Sequence, residues 1–150
     1  MKPHPKDYCS APDEQAKNPD ALNSFVQIAN GDEDALRFMW VFWSYTHCLD
    51  DLVDQDKPVT QDAVVRAMTA MITEMTFNPF WIRNSLTLHA FILQVFNRWV
   101  AGDMAEKRGD PLHVAIRCGD VDMYMHIAFL CGGFDHMLSL TRLRTYDVNQ

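Results

Sequence analysis

The segment 47-HCLDDLVDQD-56 places four aspartates, Asp50, Asp51, Asp54 and Asp56, within seven positions. On a helix, Asp50 and Asp54 lie at i,i+4 and Asp51 and Asp54 at i,i+3, so the three share one face. Like charges at that spacing repel. A helix C-terminus, which carries partial negative charge, disfavours each acid by roughly 0.3–1 kcal/mol. A hard divalent cation would reverse the sign of all these penalties. Magnesium takes oxygen ligands, usually one or two carboxylates completed by water and substrate phosphates. The pattern therefore points to Mg²⁺ as cofactor and a small-molecule diphosphate as partner. The plainer alternative is a solvated, frayed helix end. Local rules broken together in one place favour the functional reading.

A second acidic pair, Asp103 and Glu106 in 102-GDMAEKRGD-110, repeats the i,i+3 spacing. Arg98, Lys107 and Arg108 stand beside it as cations suited to diphosphate oxygens. A surface pair neutralised by Lys107 and Arg108 is the alternative. His47, three positions before Asp50, reads as a hydrogen-bond partner behind the carboxylates; as a direct ligand it would favour zinc or iron over magnesium. Cys48 sits among acids that disfavour a thiolate, which makes it a poor nucleophile. Trp99, one turn before Asp103, and Trp43 could line a cavity beneath these acids, although aromatic residues more often form core. The aromatic and Met content could equally form a homo-oligomer face. His89 and His126 read as satisfied residues of mostly apolar helices.

Proline and Asx punctuation defines the elements that would carry these residues. Asn18-Pro19, Asn78-Pro79 and Asp110-Pro111 each combine a capping side chain with a proline suited to the first helical turn. Asp32 caps a fourth start, and Thr60 a fifth, with Val59 placed to staple against the first turn. The expected helices run over 19–30, 33–54, 60–76, 79–107 and 111–138. The last is breakable at Gly119, with Asp120 as its new cap, and carries Gly132-Gly133. No alternating strand pattern appears. The fold class is therefore all-α: residues 1–150 form a single-domain bundle of about five helices, with 1–17 and 141–150 loosely ordered. Helix 33–54, apolar nearly all round from Phe38 to Trp43, should be central. In an up-and-down bundle, helices 33–54 and 79–107 run parallel and bring both acid clusters to one end.

Composition bounds the rest. A formal net charge of -7 argues against a nucleic-acid surface. No segment reaches the roughly 18 apolar residues of a membrane span, and the N-terminus shows no signal-peptide pattern. Cys9, Cys48, Cys118 and Cys131 lack metal-site spacing and read as reduced, mostly buried thiols of a cytoplasmic protein.

The string 48-CLDDLVD-54 resembles the first aspartate-rich motif of the class I isoprenoid synthases, in particular the squalene and phytoene synthase branch, over roughly ten of the 150 residues. The resemblance implies an all-α cavity in which Asp50, Asp51 and Asp54 hold Mg²⁺ or support its ligands, and in which the metal binds and ionises an allylic diphosphate. The second acidic segment, 103-DMAE-106, departs from that branch's second motif. The pairs Asp51-x-x-Asp54 and Asp103-x-x-Glu106 are similar instead to the short acidic motifs of the all-α NTP pyrophosphohydrolases, which also use Mg²⁺. A non-catalytic α-helical binding or assembly module is the reading from a different class.

Overall fold

The helix starts written into the sequence are made by side chains within one turn of the chain. In the computed structural model, which describes residues 19–55 and 57–140, six helices follow one another. They are α1 (Pro19–Ala29), α2 (Glu33–Asp54), α3 (Gln61–Phe77), α4 (Pro79–Lys107), α5 (His113–Arg117) and α6 (Gly119–Ser139). Among the described residues there is no strand, so the fold is all-α. The expectations for 1–17, Asn18, Asp56 and 141–150 lie outside the described residues.

The Asp32 carboxylate accepts from the Asp34 and Ala35 amides, both at 3.0 Å. The Thr60 hydroxyl accepts from Ala63 at 3.1 Å. The Asn78 side-chain oxygen accepts from Phe80 at 2.8 Å and Trp81 at 3.2 Å. The third Asx-Pro pair behaves differently. Asp110 accepts from the Leu112 amide, a turn contact, and the helix begins only at His113. The expected break near Gly119 falls at Cys118, so the last expected segment forms two helices. Asp120 does not recap the new helix, since its carboxylate bonds the adjacent Val121 amide instead. Gly133, at φ 81 and ψ -172, kinks α6 in a conformation that glycine alone adopts readily. Cys48, Cys118 and Cys131 are thiols, half-buried rather than buried.

The chain divides into two compact units, one ending at Arg83 and one beginning at Asn84. The first contains α1, α2, α3 and the start of α4, and α2 packs against both α1 and α3. Phe38, Met39, Trp40, Val41 and Phe42 are all essentially inaccessible, so this run of α2 is enclosed on every side. Burying one large apolar side chain contributes roughly 1.5–3 kcal/mol. Trp40 stacks on Trp43 with 5.1 Å between ring centroids, and Phe38 stacks on Trp81 at 5.4 Å. Trp43 is only half-buried.

Four polar side chains sit in the same core: Asp34, Arg37, Glu74 and Asn78. Arg37 Nε donates to both Glu74 oxygens, at 3.0 and 3.2 Å, and a second guanidinium nitrogen lies 3.4 Å from Asp34. The Asn78 amide donates to Glu74 and to the Asp34 carbonyl. A buried charge is tolerated only when paired and hydrogen-bonded, and here each charge has its partner. The network locks the start of α2, the end of α3 and the cap of α4 into one register.

In the second unit, the buried face of α4 is Leu88, Ile92, Val95 and Ala105, and Met123, Ile127 and Ala128 of α6 are buried too. Two glycines mark close approaches. A Cβ on Gly102 would lie 2.9 Å from the Arg117 Cβ, and one on Gly119 would lie 3.1 Å from Arg98 and 3.2 Å from the Val95 Cα.

Candidate functional site

The aspartate-rich segment forms the last turns of α2 in the first unit. Asp50 and Asp51 are half-buried and Asp54 is exposed. The helix ends at Gln55, which adopts the left-handed conformation at φ 58 while its amide bonds the Asp51 carbonyl. That position ordinarily belongs to glycine. A non-glycine residue held there stores roughly 1–3 kcal/mol of strain, a feature that clusters at functional sites. Lys57 Nζ lies 3.9 Å from the Asp51 carboxylate, a loose and largely solvated pair.

Beside these acids a cleft of about 140 Å³ opens between α2 and α3. Ser44, His47, Cys48 and Asp51 line it from α2. Ala63, Ala67 and Ala70 line it from α3, where the i,i+4,i+7 spacing puts three short side chains on one face, too small to fill the gap. Val59, the expected staple residue, lines its end beside Ala63. The cleft is apolar on the α3 side, while the α2 side carries the polar groups beside Val41. The Ser44 hydroxyl is buried there without a protein partner, an arrangement that is unfavourable unless something else satisfies it.

His47 is exposed at the rim. Its Nδ1 lies 2.9 Å from the Trp43 carbonyl, and its ring lies against Trp43, tilted by 39° with 4.0 Å between centroids. Because a carbonyl only accepts, it is Nδ1 that carries a proton here. His47 is thus oriented by Trp43, one turn earlier. Trp43, expected to line a cavity, packs on Trp40 and His47 and is not part of the cleft lining.

The second acidic pair stands in the second unit. Asp103 is half-buried, Glu106 is exposed, and both are taken by Arg117 of α5. The sequence had pointed to Lys107 and Arg108 as neutralising cations; both are exposed, and Arg117 makes the contacts. The hydrogen bond from Arg117, then its charge, holds the Glu106 carboxyl below its ordinary value. Burial acts to lower the Arg117 pKa, but the bonds and charges of Glu106 and Asp103 raise it overall. Arg98 is equally committed: it donates to the Ile116 and Ala115 carbonyls at 2.9 and 2.7 Å and to Asp122 at 2.9 Å. It satisfies the end of the short α5, whose last carbonyls have no partner within the helix. Trp99 is half-buried on the same helix. His126 bonds Thr87 at 3.1 Å and stacks on Phe91, while His89 is exposed.

Sequence reasoning missed Arg37, Glu74 and Arg117. Arg37 carried a signal, being a charge set immediately before the apolar run of α2. For Arg117 the signal was Gly102, a glycine inside a helix next to Asp103, marking where another segment comes close.

Among the described residues, no three His, Cys, Asp or Glu side chains are grouped so as to hold a metal ion between them. No helix of the described residues is long and apolar enough to cross a membrane. The chain matches no protein-family model, no curated protein and no solved structure.

Proposed function

We propose that the C-terminal end of α2 is a Mg²⁺-dependent site for a diphosphate compound, with the organic part of the ligand entering the cleft between α2 and α3. The observation that carries this reading is Asp51: its half-buried carboxylate belongs both to the aspartate-rich turn and to the wall of a cleft whose opposite side is apolar. The strained helix end at Gln55 and the unsatisfied Ser44 hydroxyl support it.

The donor set fits magnesium in one mode only. The described side chains make no three-ligand cage, but Mg²⁺ is commonly held by one or two carboxylates with water and substrate phosphates completing its shell. Asp50, Asp51 and Asp54 would supply those carboxylates. When bound, the ion neutralises diphosphate oxygens and makes diphosphate a better leaving group. The residues of the chain bind and orient: Lys57 offers a cation beside Asp51, and Ala63, Ala67 and Ala70 leave room for a small apolar group. Asp103 and Glu106 contribute less to this reading, because both are already ion-paired with Arg117. A non-catalytic assembly module is the second reading, favoured by the large apolar side chains exposed on α4.

Melting with and without millimolar Mg²⁺ plus pyrophosphate separates the two. A ligand at 100 times its Kd adds about 2.7 kcal/mol of stability. The wild-type melting temperature should rise, and the Asp50→Asn, Asp54→Asn double variant should keep its baseline stability and lose the rise. A wild-type protein indifferent to both additions refutes the metal site.

A further inference from the structure

Helix α4 is apolar on two opposite faces, and among the described residues only one of them is buried. The face made by Leu88, Ile92, Val95 and Ala105 is buried. On the other side Leu86 is 92% exposed, Leu93 53%, Val100 51% and Met104 55%. These exposed residues follow a strict pattern. Leu86, Leu93 and Val100 recur every seventh position, and Ala90, Asn97 and Met104, all exposed, repeat the same interval four residues later. At 3.6 residues per turn the six fall within an arc of about 80°. A seven-residue repeat is the seam of a left-handed helix pair, which requires a partner helix of the same periodicity.

We infer that this seam pairs α4 with α4 of a second copy of the chain, in parallel, as a two-stranded coiled coil. The occupant is identified by Asn97. A single asparagine at an inner seam position meets its own counterpart across a two-fold axis parallel to the helices, where the two amides hydrogen-bond and fix the register. Antiparallel pairing would set Asn97 against an apolar residue instead. Charge agrees. The positions flanking the seam are Thr87, His89, Gln94, Phe96, Ala101 and Asp103. Only Asp103 is charged, and it is ion-paired with Arg117, so in a chain of net charge -7 this line is one of low charge where a copy can approach with little repulsion. The strip is about 27 Å long and about 10 Å wide, smaller than the roughly 800 Å² per partner of a standard interface. The dimer is therefore weak and concentration-dependent.

The test is sedimentation of the full chain from micromolar to millimolar concentration. The wild type should pass from 17.3 kDa to twice that mass. Because Leu86 is almost fully exposed in the monomer, Leu86→Glu should leave the circular dichroism spectrum and monomer melting unchanged. Leu86→Glu and Leu93→Glu should each raise the dissociation constant about a hundredfold or more, since each removes two leucines from the dimer. Under mild oxidation Asn97→Cys should form an intermolecular disulfide mapped to that position. A protein monomeric at every concentration overturns the inference. So does a dimer that survives both glutamate variants, or one that fails to cross-link through Asn97→Cys.

Discussion

Replacing Glu74 by alanine isolates the energetics of the polar network inside the first unit. Glu74 is 1% exposed and Arg37 is 7% exposed. The wild-type pair is held by two hydrogen bonds, and Asn78 adds a third to the same carboxylate. The variant leaves the guanidinium buried without its Glu74 partner, beside Asp34 at 3.4 Å, and strips Asn78 of one acceptor. Removing one partner of a buried pair costs about 3–5 kcal/mol. At roughly 2–8 °C per kcal/mol, the melting temperature should fall by at least about 6 °C. The double variant Arg37→Met, Glu74→Met removes both charges and keeps much of the volume, so its loss should be well below that of Glu74→Ala, because apolar replacement of a buried pair is often neutral. Urea denaturation at pH 7 on both variants and on Arg37→Met and Glu74→Met singly closes the double-mutant cycle. A Glu74→Ala loss under about 1 kcal/mol, or additive single variants, would refute the view that the two charges are mutually dependent in the core.

Gly102→Ala forces a Cβ to 2.9 Å from that of Arg117 and 3.2 Å from the His113 carbonyl. Overpacking costs roughly 1–3 kcal/mol and helix propensity returns up to about 1. The net destabilisation should come with a rise in the Glu106 pKa as Arg117 is pushed away, followed by NMR titration; an unmoved Glu106 would contradict the placement of Arg117. His126 titrates below its ordinary value because it is partly buried. The unfolded chain thus takes up a proton first, near pH 6.5. The stability contributed by neutral His126 is complete above that pH and is lost as pH falls through the lower folded value. Denaturation curves from pH 7 to 5 should show this slope, and His126→Gln should flatten it.

The helix starts were legible in the sequence because capping is settled within one turn: Asp32 reaches Asp34 and Ala35, Thr60 reaches Ala63, and Asn78 reaches Phe80 and Trp81. The burial of α2 was legible too, since a helix apolar all round has no side to offer water. The aspartate-rich turn could be read as a pattern, but the cleft beside it depends on how close α3 lies, which three alanines and Val59 decide only once the two helices are packed. Tertiary structure alone chose the ion pairs. Arg37 finds Glu74 across 37 positions, and Arg117 finds Asp103 and Glu106 across 14 and 11. Helix α4 shows the limit most directly. Its sequence is apolar on both faces, and only packing shows that Leu88 and Ile92 turn inward while Leu86 and Leu93 face out. A cap is a contact between neighbours in the chain, so local sequence determines it. An ion pair or a buried face joins residues that are distant in the chain, and it exists only where the fold brings them together.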